Sequence, residues 1–359
     1  MKEFSCQTRI VLGAAGMEAL KQLGLQRLFL VTDPFFAKNG TGERIAKSSG
    51  AREWEIFDRV EPDPSVALVA QGVAAAQGFR PDGIVALGGG SALDCAKGIC
   101  YFSGMDIPFV AIPTTSGSGS EVTDFAILTH EGVKHPLVDD SLQPCLAILD
   151  ETLVSGLPPA LIADGGFDVL SHALESWVGK NANAFTDALA EKAFSTVFHG
   201  LAASYKGNQT KRRDIHEASC MAGIAFTQAG LGLCHALSHA LGGQFHVPHG
   251  RLNAILLPAV IGCNTQAHPR YASLSRMAGL GGSSDAMALR NLKNGLIRLR
   301  GQLGMPEDLS QAGICPGKLR EKMDDIVMAA LKDPCCGTNP QEVTAAMVRQ
   351  VLTEVMGRG

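Results

Sequence analysis

The chain has 359 residues, more than one hydrophobic core usually organises, so its length favours two domains. Hydrophobic residues make up 46% and charged residues 18%, which is typical of a compact α/β protein. A net charge of -4 without a long basic run argues against a nucleic-acid-binding protein. No stretch approaches the roughly 18 apolar residues of a membrane span, and the N-terminus lacks a signal-peptide pattern, so we expect a cytoplasmic protein.

The first half alternates short apolar runs with helical stretches, the pattern of parallel strands joined by crossover helices. We predict strands at 9–12, 27–32, 53–57, 83–87, 108–112 and 146–149. Residues 123–128 and 134–138 predict a hairpin on an edge of this sheet. These elements predict an α/β dinucleotide-binding domain over residues 1–157.

The second half contains long amphipathic segments and almost no β-branched runs. A cluster of Gly and Pro at residues 155–159 marks the boundary. Helices are predicted at 160–179, 184–204, 211–229, 233–243, 250–265, 284–302, 318–331 and 341–356. We therefore predict an all-helical domain over residues 158–359.

A run of three glycines follows the predicted strand at 83–87, and Ser91 comes next. Glycines let a backbone approach a phosphate closely, and a helix that follows offers unpaired N–H groups to a pyrophosphate. Ser91 and Asp94 have the spacing of a capping box for a helix that begins at Ala92. A tight strand-to-helix turn explains the run equally well, because it is not Gly-x-Gly-x-x-Gly.

A second loop, residues 113–121, carries five hydroxyl side chains among two glycines after the next predicted strand. Loops at the carboxyl ends of parallel strands are where open α/β sheets bind ligands, which favours nucleotide binding over a plain polar loop. Asp33 ends the strand at 27–32, and an acidic residue there accepts hydrogen bonds from a ribose and disfavours a 2′-phosphate. That would favour NAD over NADP, although Asp33 taken alone fits the start of a turn better.

Four of the ten histidines lie within residues 235–249, which indicates a shared site. His235 and His239 share a helix face, Gly242-Gly243 is predicted to end that helix, and the return leads to His249. Upstream, Asp168 and His172 lie one turn apart in an apolar segment. One carboxylate and several imidazoles suit Fe²⁺ or Zn²⁺ better than Ca²⁺ or Mg²⁺. The alternative, ordinary core histidines, would bury several imidazoles without partners at a high cost.

Taken together, these motifs resemble the iron-containing (group III) alcohol dehydrogenases, and the resemblance extends over nearly the whole chain. Segments such as 186–193 and 243–250 are similar to the 1-propanol dehydrogenases of bacterial propanediol utilisation. The small departures, at Ser116, Ser118 and Val169, remove no ligating or phosphate-binding group.

The resemblance implies a role for each matching position. The implied metal ligands are Asp168, His172, His235 and His249, with His239 near the nicotinamide and the reacting carbon. The implied nucleotide contacts, besides Asp33, are Gly89, Gly90, Ser91, Thr114, Thr115, Ser118 and Lys134.

The resemblance also implies the reaction: NAD-dependent interconversion of short-chain primary alcohols and aldehydes, with Fe²⁺ or Zn²⁺ as a Lewis acid. Reduction of propionaldehyde to 1-propanol is the expected direction in the cell. The implied assembly is a homodimer, in the cytoplasm or inside a bacterial microcompartment, where it would meet the shell or an aldehyde-producing enzyme.

Two other functions compete with this one. A metal- and NAD-dependent lyase or cyclase of the dehydroquinate synthase type shares the domain plan, but its phosphorylated substrate would need several Lys and Arg. The ligand motifs instead have Phe226, Leu231 and Leu233 as neighbours, with Arg251 as the basic one. A non-catalytic scaffold component is the third possibility, and the intact ligands and glycine run argue against it.

Overall fold

The computed structural model describes residues 4–13, 15–131 and 133–357. The chain forms two compact units. One comprises Ser5–Leu157, and the other begins at Pro158 and includes Phe4.

The first unit is built around a six-stranded sheet. Its strands are β1 (Arg9–Leu12), β2 (Arg27–Thr32), β3 (Glu53–Phe57), β4 (Gly83–Gly88), β5 (Phe109–Pro113) and β8 (Leu146–Leu149). Its helices are α1 (Ala15–Lys21), α2 (Pro34–Lys38), α3 (Thr41–Ser48), α4 (Val66–Phe79), α5 (Gly90–Ser103) and α6 (Glu151–Val154). The predicted strands are confirmed to within one residue at each end.

All strand pairs in this sheet are parallel, in the order β1-β8-β5-β4-β2-β3. Alternate residues of each strand face opposite sides, so the sheet has two apolar cores. Phe29 and Val31 pack with α4 and α5 on one face, whereas Leu28 and Leu30 pack with α1 and α3 on the other. The predicted α/β architecture is confirmed.

The chain reverses direction across the sheet between β2 and β4. The helices after β2 lie on one face and the helix after β4 lies on the other, while β2 and β4 pair directly. In open α/β sheets such a switch point opens a crevice at the carboxyl ends of the strands, where ligands bind. Asp33 follows β2 and Gly89 follows β4, so both predicted nucleotide residues lie at this point.

The predicted hairpin exists, but its place was wrong. Strands β6 (Phe125–His130) and β7 (Val133–Val138) pair antiparallel in a separate two-stranded sheet rather than on an edge of the parallel one. Hydrogen bonds from its first strand run to helix α5 instead: the Ile127 N–H donates to Asp94, and the Phe125 carbonyl accepts from Lys97.

The second unit is helical in the described residues, as predicted. It contains α7 (Pro159–Val178), α8 (Ala184–Tyr205), α9 (Gln209–Ala229), α10 (Leu233–Phe245), α11 (His249–Cys263), α12 (His268–Met277), α13 (Asp285–Gln302), α14 (Pro316–Glu321), α15 (Met323–Lys332), α16 (Cys335–Thr338) and α17 (Ala345–Val355). Helix α12 was not predicted, and the helix predicted at 318–331 is two helices. Within the described chain no single helix is long and apolar enough to cross a membrane; only α9 and α10 together, bent by 104°, reach that length and composition.

Helix α10 continues past the predicted end at Gly242-Gly243. It ends at Phe245, and His246 closes it in the left-handed conformation with φ 56°. The His246 N–H donates to the Gly242 carbonyl at 2.9 Å. The left-handed residue after a helix is usually glycine, but here it is histidine. The prediction from Gly242-Gly243 therefore ended the helix too early.

Candidate metal centre and nucleotide-binding loops

Helix α7 carries the first two predicted ligands on one buried face. Asp168 and His172 are four residues apart and are 9% and 4% exposed. The Asn253 side chain donates to Asp168 Oδ1 at 2.8 Å and fixes that carboxylate. The His172 ring stacks on Phe226 at 4.3 Å and on His235 at 4.6 Å between ring centroids.

Helices α10 and α11 bring two more imidazoles to the same carboxylate. The Nε2 atoms of His172 and His235 each lie 3.7 Å from Asp168 Oδ1, and Nε2 of His249 lies 3.5 Å from it. Ligand atoms of Asp168, His235 and His249 all lie within 4.8 Å of one another. Gly250 makes this approach possible, because a Cβ there would stand 1.9 Å from the Asp164 carbonyl oxygen.

The spacing of these atoms fits a bound ion. Separations of 3.5–3.7 Å are longer than hydrogen bonds. Ligands about 2.1 Å from a tetrahedral ion lie roughly 3.4 Å apart, which is close to the distance from each imidazole nitrogen to Asp168 Oδ1. The group in which all ligand atoms are mutually close comprises Asp168, His235 and His249. One carboxylate with imidazole nitrogens is a donor set for Fe²⁺ or Zn²⁺. These residues could therefore hold such an ion.

The electrostatics of this cluster also suit a cation. Burial opposes charge on His235, but its bonds to Asp168 and Glu175 outweigh that and raise its pKa to about 9. Burial also opposes charge on Asp168, yet the surrounding imidazoles hold its pKa below the usual range. Asp168 and Glu175 thus favour a positive charge at His235, whereas burial, together with the neighbouring imidazoles, holds the pKa of His249 well below its usual value.

His239 has a different partner from the other histidines. Its Nδ1 lies 2.8 Å from Asp333 Oδ2, and the two side chains are 25% and 15% exposed. Its ring stacks on His249 at 5.1 Å between centroids. Its carboxylate partner, Asp333, lies 94 residues away in the sequence and carried no motif that sequence reasoning could have found. His246, by contrast, is exposed.

Glu175 is a second functional residue that sequence reasoning missed. It is 2% exposed, and its Oε2 lies 2.6 Å from Nδ1 of His235. A signal was present: Glu175 follows His172 by three residues and Asp168 by seven, so all three share one face of the helix.

The two predicted nucleotide loops of the first unit face each other in close contact. A Cβ on Gly89 would stand 3.2 Å from the Thr115 side chain, and one on Gly90 would stand 3.1 Å from Ser118. The buried Thr114 donates its N–H to the Gly88 carbonyl at 2.9 Å. The glycine run and the hydroxyl-rich loop thus form one surface at the carboxyl ends of β4 and β5.

The predicted capping box at Ser91 and Asp94 was wrong. Helix α5 begins at Gly90 with Gly89 as its N-cap, so Ser91 already lies inside the first turn. Its Oγ accepts from the Asp63 N–H at 3.3 Å instead. Asp94 binds across to the second loop, where Oδ1 accepts from Ser120 Oγ at 2.7 Å.

Lys97, also missed, links α5 to the segment that directly follows the second loop. Its ammonium group is buried and donates to the hydroxyl and the carbonyl of Thr123 at 2.7 and 2.8 Å, and to the Phe125 carbonyl at 2.8 Å. Burial lowers the pKa of Lys97 to about 8 despite Asp94 and two other nearby carboxylates. The helix that starts at the glycine run is thereby fixed to the segment that follows the loop it faces.

Asp33 and Lys134 flank this surface. Asp33 caps α2, accepting from the Phe35 N–H at 2.9 Å, and its other oxygen lies 3.8 Å from where a Cβ on Gly88 would be. Lys134 donates to Asp63 Oδ1 at 2.6 Å, and the N–H of the same Asp63 donates to Ser91 Oγ. Asp33 thus caps α2, as its place at the start of a turn predicts, and it also borders the glycine run; its contact with a ribose stays a prediction.

The sequence matches a known family over both units. The pattern described as "Iron-containing alcohol dehydrogenase" matches residues 8–151, and "Fe-containing alcohol dehydrogenase family, C-terminal" matches residues 162–356. The 1-propanol dehydrogenase PduQ of Citrobacter freundii is 41% identical over 370 residues, covering 99% of this chain and all of the relative.

Comparison with solved structures supports the same family. An iron-containing alcohol dehydrogenase from Thermococcus thioreducens superposes with a TM-score of 0.92 at 30% identity, with 99% of each chain covered. A sulfoacetaldehyde reductase from Bifidobacterium kashiwanohense, solved with NAD⁺, superposes with a TM-score of 0.88 at 27% identity over the full length of both chains. The chain therefore belongs to the iron-containing alcohol dehydrogenase family.

Proposed function

We propose that this alcohol dehydrogenase uses NAD and a divalent ion to interconvert short-chain primary alcohols and aldehydes, with propionaldehyde reduction by NADH as its main reaction. The observation that carries the proposal is the convergence of His172, His235 and His249 on one oxygen of Asp168 at ligand-to-ligand spacing. The 41% identity to a 1-propanol dehydrogenase supports the substrate.

We assign the metal to Asp168, His172, His235 and His249. When bound, the ion acts as a Lewis acid on the substrate oxygen, and NADH supplies the hydride. His172, His235 and His249 would ligate as neutral imidazoles, so binding would release the proton that Asp168 and Glu175 favour on His235. Asn253 keeps Asp168 oriented by donating to its Oδ1.

His239 is the proposed proton-handling residue. Its Nδ1 faces a carboxylate, Asp333, which orients the ring and stabilises a positive charge on it. A proton taken up by the product oxygen during aldehyde reduction can therefore come from His239 or from water that it orders.

The nucleotide is assigned to the first unit. Gly89, Gly90 and Ser91 would receive the pyrophosphate at the start of α5, where backbone N–H groups and the helix dipole favour anions. Thr114, Thr115, Ser118 and Lys134 would contact the rest of the nucleotide. Asp33 would accept from the ribose hydroxyls and disfavour a 2′-phosphate.

The competing cyclase or lyase function lacks support in the charges near the site. Arg251, the basic neighbour of His249, is paired with Asp164, its NH2 group lying 3.0 Å from Oδ2. A guanidinium neutralised in this way is a poor partner for a substrate phosphate. Apolar side chains such as Phe226, 3% exposed, suit a small uncharged aldehyde better.

The finer features of the proposal are the loaded metal and the assembly. We propose Fe²⁺ as the native ion with Zn²⁺ as a possible substitute, because both accept the same ligands. We also propose a cytoplasmic homodimer that can be packaged in a bacterial microcompartment beside an aldehyde-producing enzyme, which extends the resemblance to the 1-propanol dehydrogenases of propanediol utilisation.

The test is an anaerobic assay of NADH absorbance with propionaldehyde. Chelated protein should be inactive, and Fe²⁺ should restore turnover, with Zn²⁺ as the parallel addition. A phosphorylated polyhydroxy substrate and NADPH are run beside them. Absence of aldehyde-dependent NADH oxidation in the Fe²⁺-loaded protein would refute the proposed function.

A further inference from the structure

Glu175 stands at the centre of a network between α7 and α10. Its Oε2 accepts from the Gly232 N–H at 3.0 Å, its Oε1 accepts from the Cys234 N–H at 2.7 Å, and the His235 N–H lies 3.4 Å from Oε2. These N–H groups belong to the first turn of α10 and its N-cap, where helix donors lack partners within the helix. One buried carboxylate thus caps the helix that carries His235 and His239.

The close approach of this carboxylate depends on a glycine. Gly232, the N-cap residue, has extended backbone, and a Cβ there would stand 2.9 Å from Glu175 Oε1. The same Cβ would stand 2.8 Å from Asn339 Oδ1, which accepts from the Leu233 N–H. The start of α10 is therefore fixed by two side chains, of which Glu175 alone also contacts an imidazole.

The contact to His235 decides which ring nitrogen is free. A carboxylate can only accept, so the 2.6 Å contact requires Nδ1 of His235 to carry the hydrogen. In the neutral ring Nε2 then keeps its lone pair, and Nε2 is the atom 3.7 Å from Asp168 Oδ1. Metal-bound imidazoles commonly have such a carboxylate behind them, which orients the ring and increases its basicity.

We propose that Glu175 is a positioning residue of the metal centre. It selects the His235 tautomer that ligates through Nε2, and it fixes the first turn of α10 so that this nitrogen faces Asp168. The inference rests on the ligand set proposed above, and it adds a residue that touches neither the ion nor the substrate.

The test is metal affinity rather than turnover. Apo-protein is titrated with Co²⁺ and with Zn²⁺ against a chromophoric chelator, and the visible Co²⁺ spectrum is recorded at saturation. Glu175→Gln keeps the shape but must turn an NH₂ group towards one set of N–H donors. We expect it to raise the dissociation constant of both ions about 10- to 100-fold and to alter the Co²⁺ spectrum.

Asn339→Ala is the matched control, because it removes an α10 cap that does not touch His235. It should lower the melting temperature and leave metal affinity and the Co²⁺ spectrum unchanged. If Glu175→Gln does not fold, Glu175→Asp is measured instead; its shorter carboxylate cannot reach both sets of donors, so it should also weaken metal binding. Wild-type affinity in whichever Glu175 variant folds, or equal weakening by Asn339→Ala, overturns the proposal.

His235→Ala separates this inference from the proposed function. If wild-type protein and His235→Ala bind metal equally, the ligand assignment itself is wrong. If His235→Ala weakens binding and the Glu175 variants do not, only the role of Glu175 is refuted.

Discussion

Two neighbouring histidines of the second unit have different proposed roles. The imidazoles of His235 and His239 lie one turn apart on α10, yet each is backed by a different carboxylate, Glu175 for the first and Asp333 for the second. A carboxylate behind an imidazole fixes its tautomer, and the remaining nitrogen then determines what the ring does. Two histidines on one helix can therefore have different functions: His235 can bind a metal, and His239 can transfer a proton.

His239→Ala should separate metal binding from proton handling. We expect kcat for propionaldehyde reduction to fall by about 100-fold, the lower end of what one acid–base group contributes. Metal content should stay at the wild-type level, because His239 is not among the proposed ligands. Asp333→Asn should lower kcat in the same direction by a smaller factor; unchanged kcat in both variants would remove His239 from the reaction.

Asp33→Asn tests the preference for NAD. Asparagine is as good an N-cap as aspartate, so the cap on α2 survives and only the charge is lost. Two unit negative charges about 4 Å apart, one on a carboxylate and one on a phosphate, repel each other by about 1–4 kcal/mol. We therefore expect the ratio of kcat/KM for NADH over NADPH to fall roughly tenfold, measured in parallel assays; an unchanged ratio would place the discrimination elsewhere.

The sequence identified the candidate metal-binding residues better than it identified the residues that hydrogen-bond to the site. Asp168, His172, His235 and His249 were identifiable because their spacing on apolar segments is unusual, and the structure brings them together. Asp333 was not, because its partner is 94 residues away and a single Asp in a loop carries no pattern. Lys97 was not either, since its three acceptors lie at Thr123 and Phe125, on a segment whose path towards α5 the sequence does not specify.

Whole elements were predicted where their periodicity is strong. The apolar, β-branched strands of the parallel sheet are bounded by turn residues, and all were found. Helix α12 was missed because it is short and mixes Pro, Arg and Ser with few apolar residues. The end of α10 was misplaced because two glycines lie inside it, and a histidine takes the left-handed position instead.

Substitution of two glycines near the metal centre should change the free energy of unfolding in opposite directions. Gly250→Ala would drive a Cβ into the backbone of α7, so we expect it to lower the free energy of unfolding by about 3 kcal/mol, at the upper end of overpacking costs. Gly243→Ala, in α10, meets no atom within 4 Å and should raise it by roughly 0.5–1 kcal/mol.

Urea unfolding of the metal-free Gly250→Ala and Gly243→Ala proteins, compared with wild type, measures both changes in the free energy of unfolding. Metal affinity is measured beside it, because Gly250 follows the proposed ligand His249 and its substitution should also weaken metal binding. Equal stability of the two variants would contradict the close packing of α7 against α11.

For the whole molecule, the sequence places both units in one family. The parallel sheet, the helical second unit and the family could be predicted because many independent patterns agree along 359 residues. The order of the strands could not, because several parallel orders satisfy the same alternation of strands and helices. That order places Asp33 beside the glycine run, so the candidate nucleotide site depends on it.

Metal should stabilise the folded protein as well as activate it. A ligand at 100 times its dissociation constant contributes about 2.7 kcal/mol if the unfolded chain does not bind it. We expect Fe²⁺ or Zn²⁺ to raise the melting temperature of the wild-type apo-protein in a concentration-dependent way. His235→Ala should show little increase, and an increase equal to that of wild type would mean that the ion binds elsewhere.

The most direct test of the metal centre is the stoichiometry of Fe²⁺ in wild-type protein and in His249→Ala. Both apo-proteins are loaded anaerobically, desalted and analysed for iron, and NADH binding is followed by fluorescence. We predict one ion per chain in the wild type, almost none in His249→Ala, and the same affinity for NADH in both. One tightly held ion in His249→Ala would contradict the account.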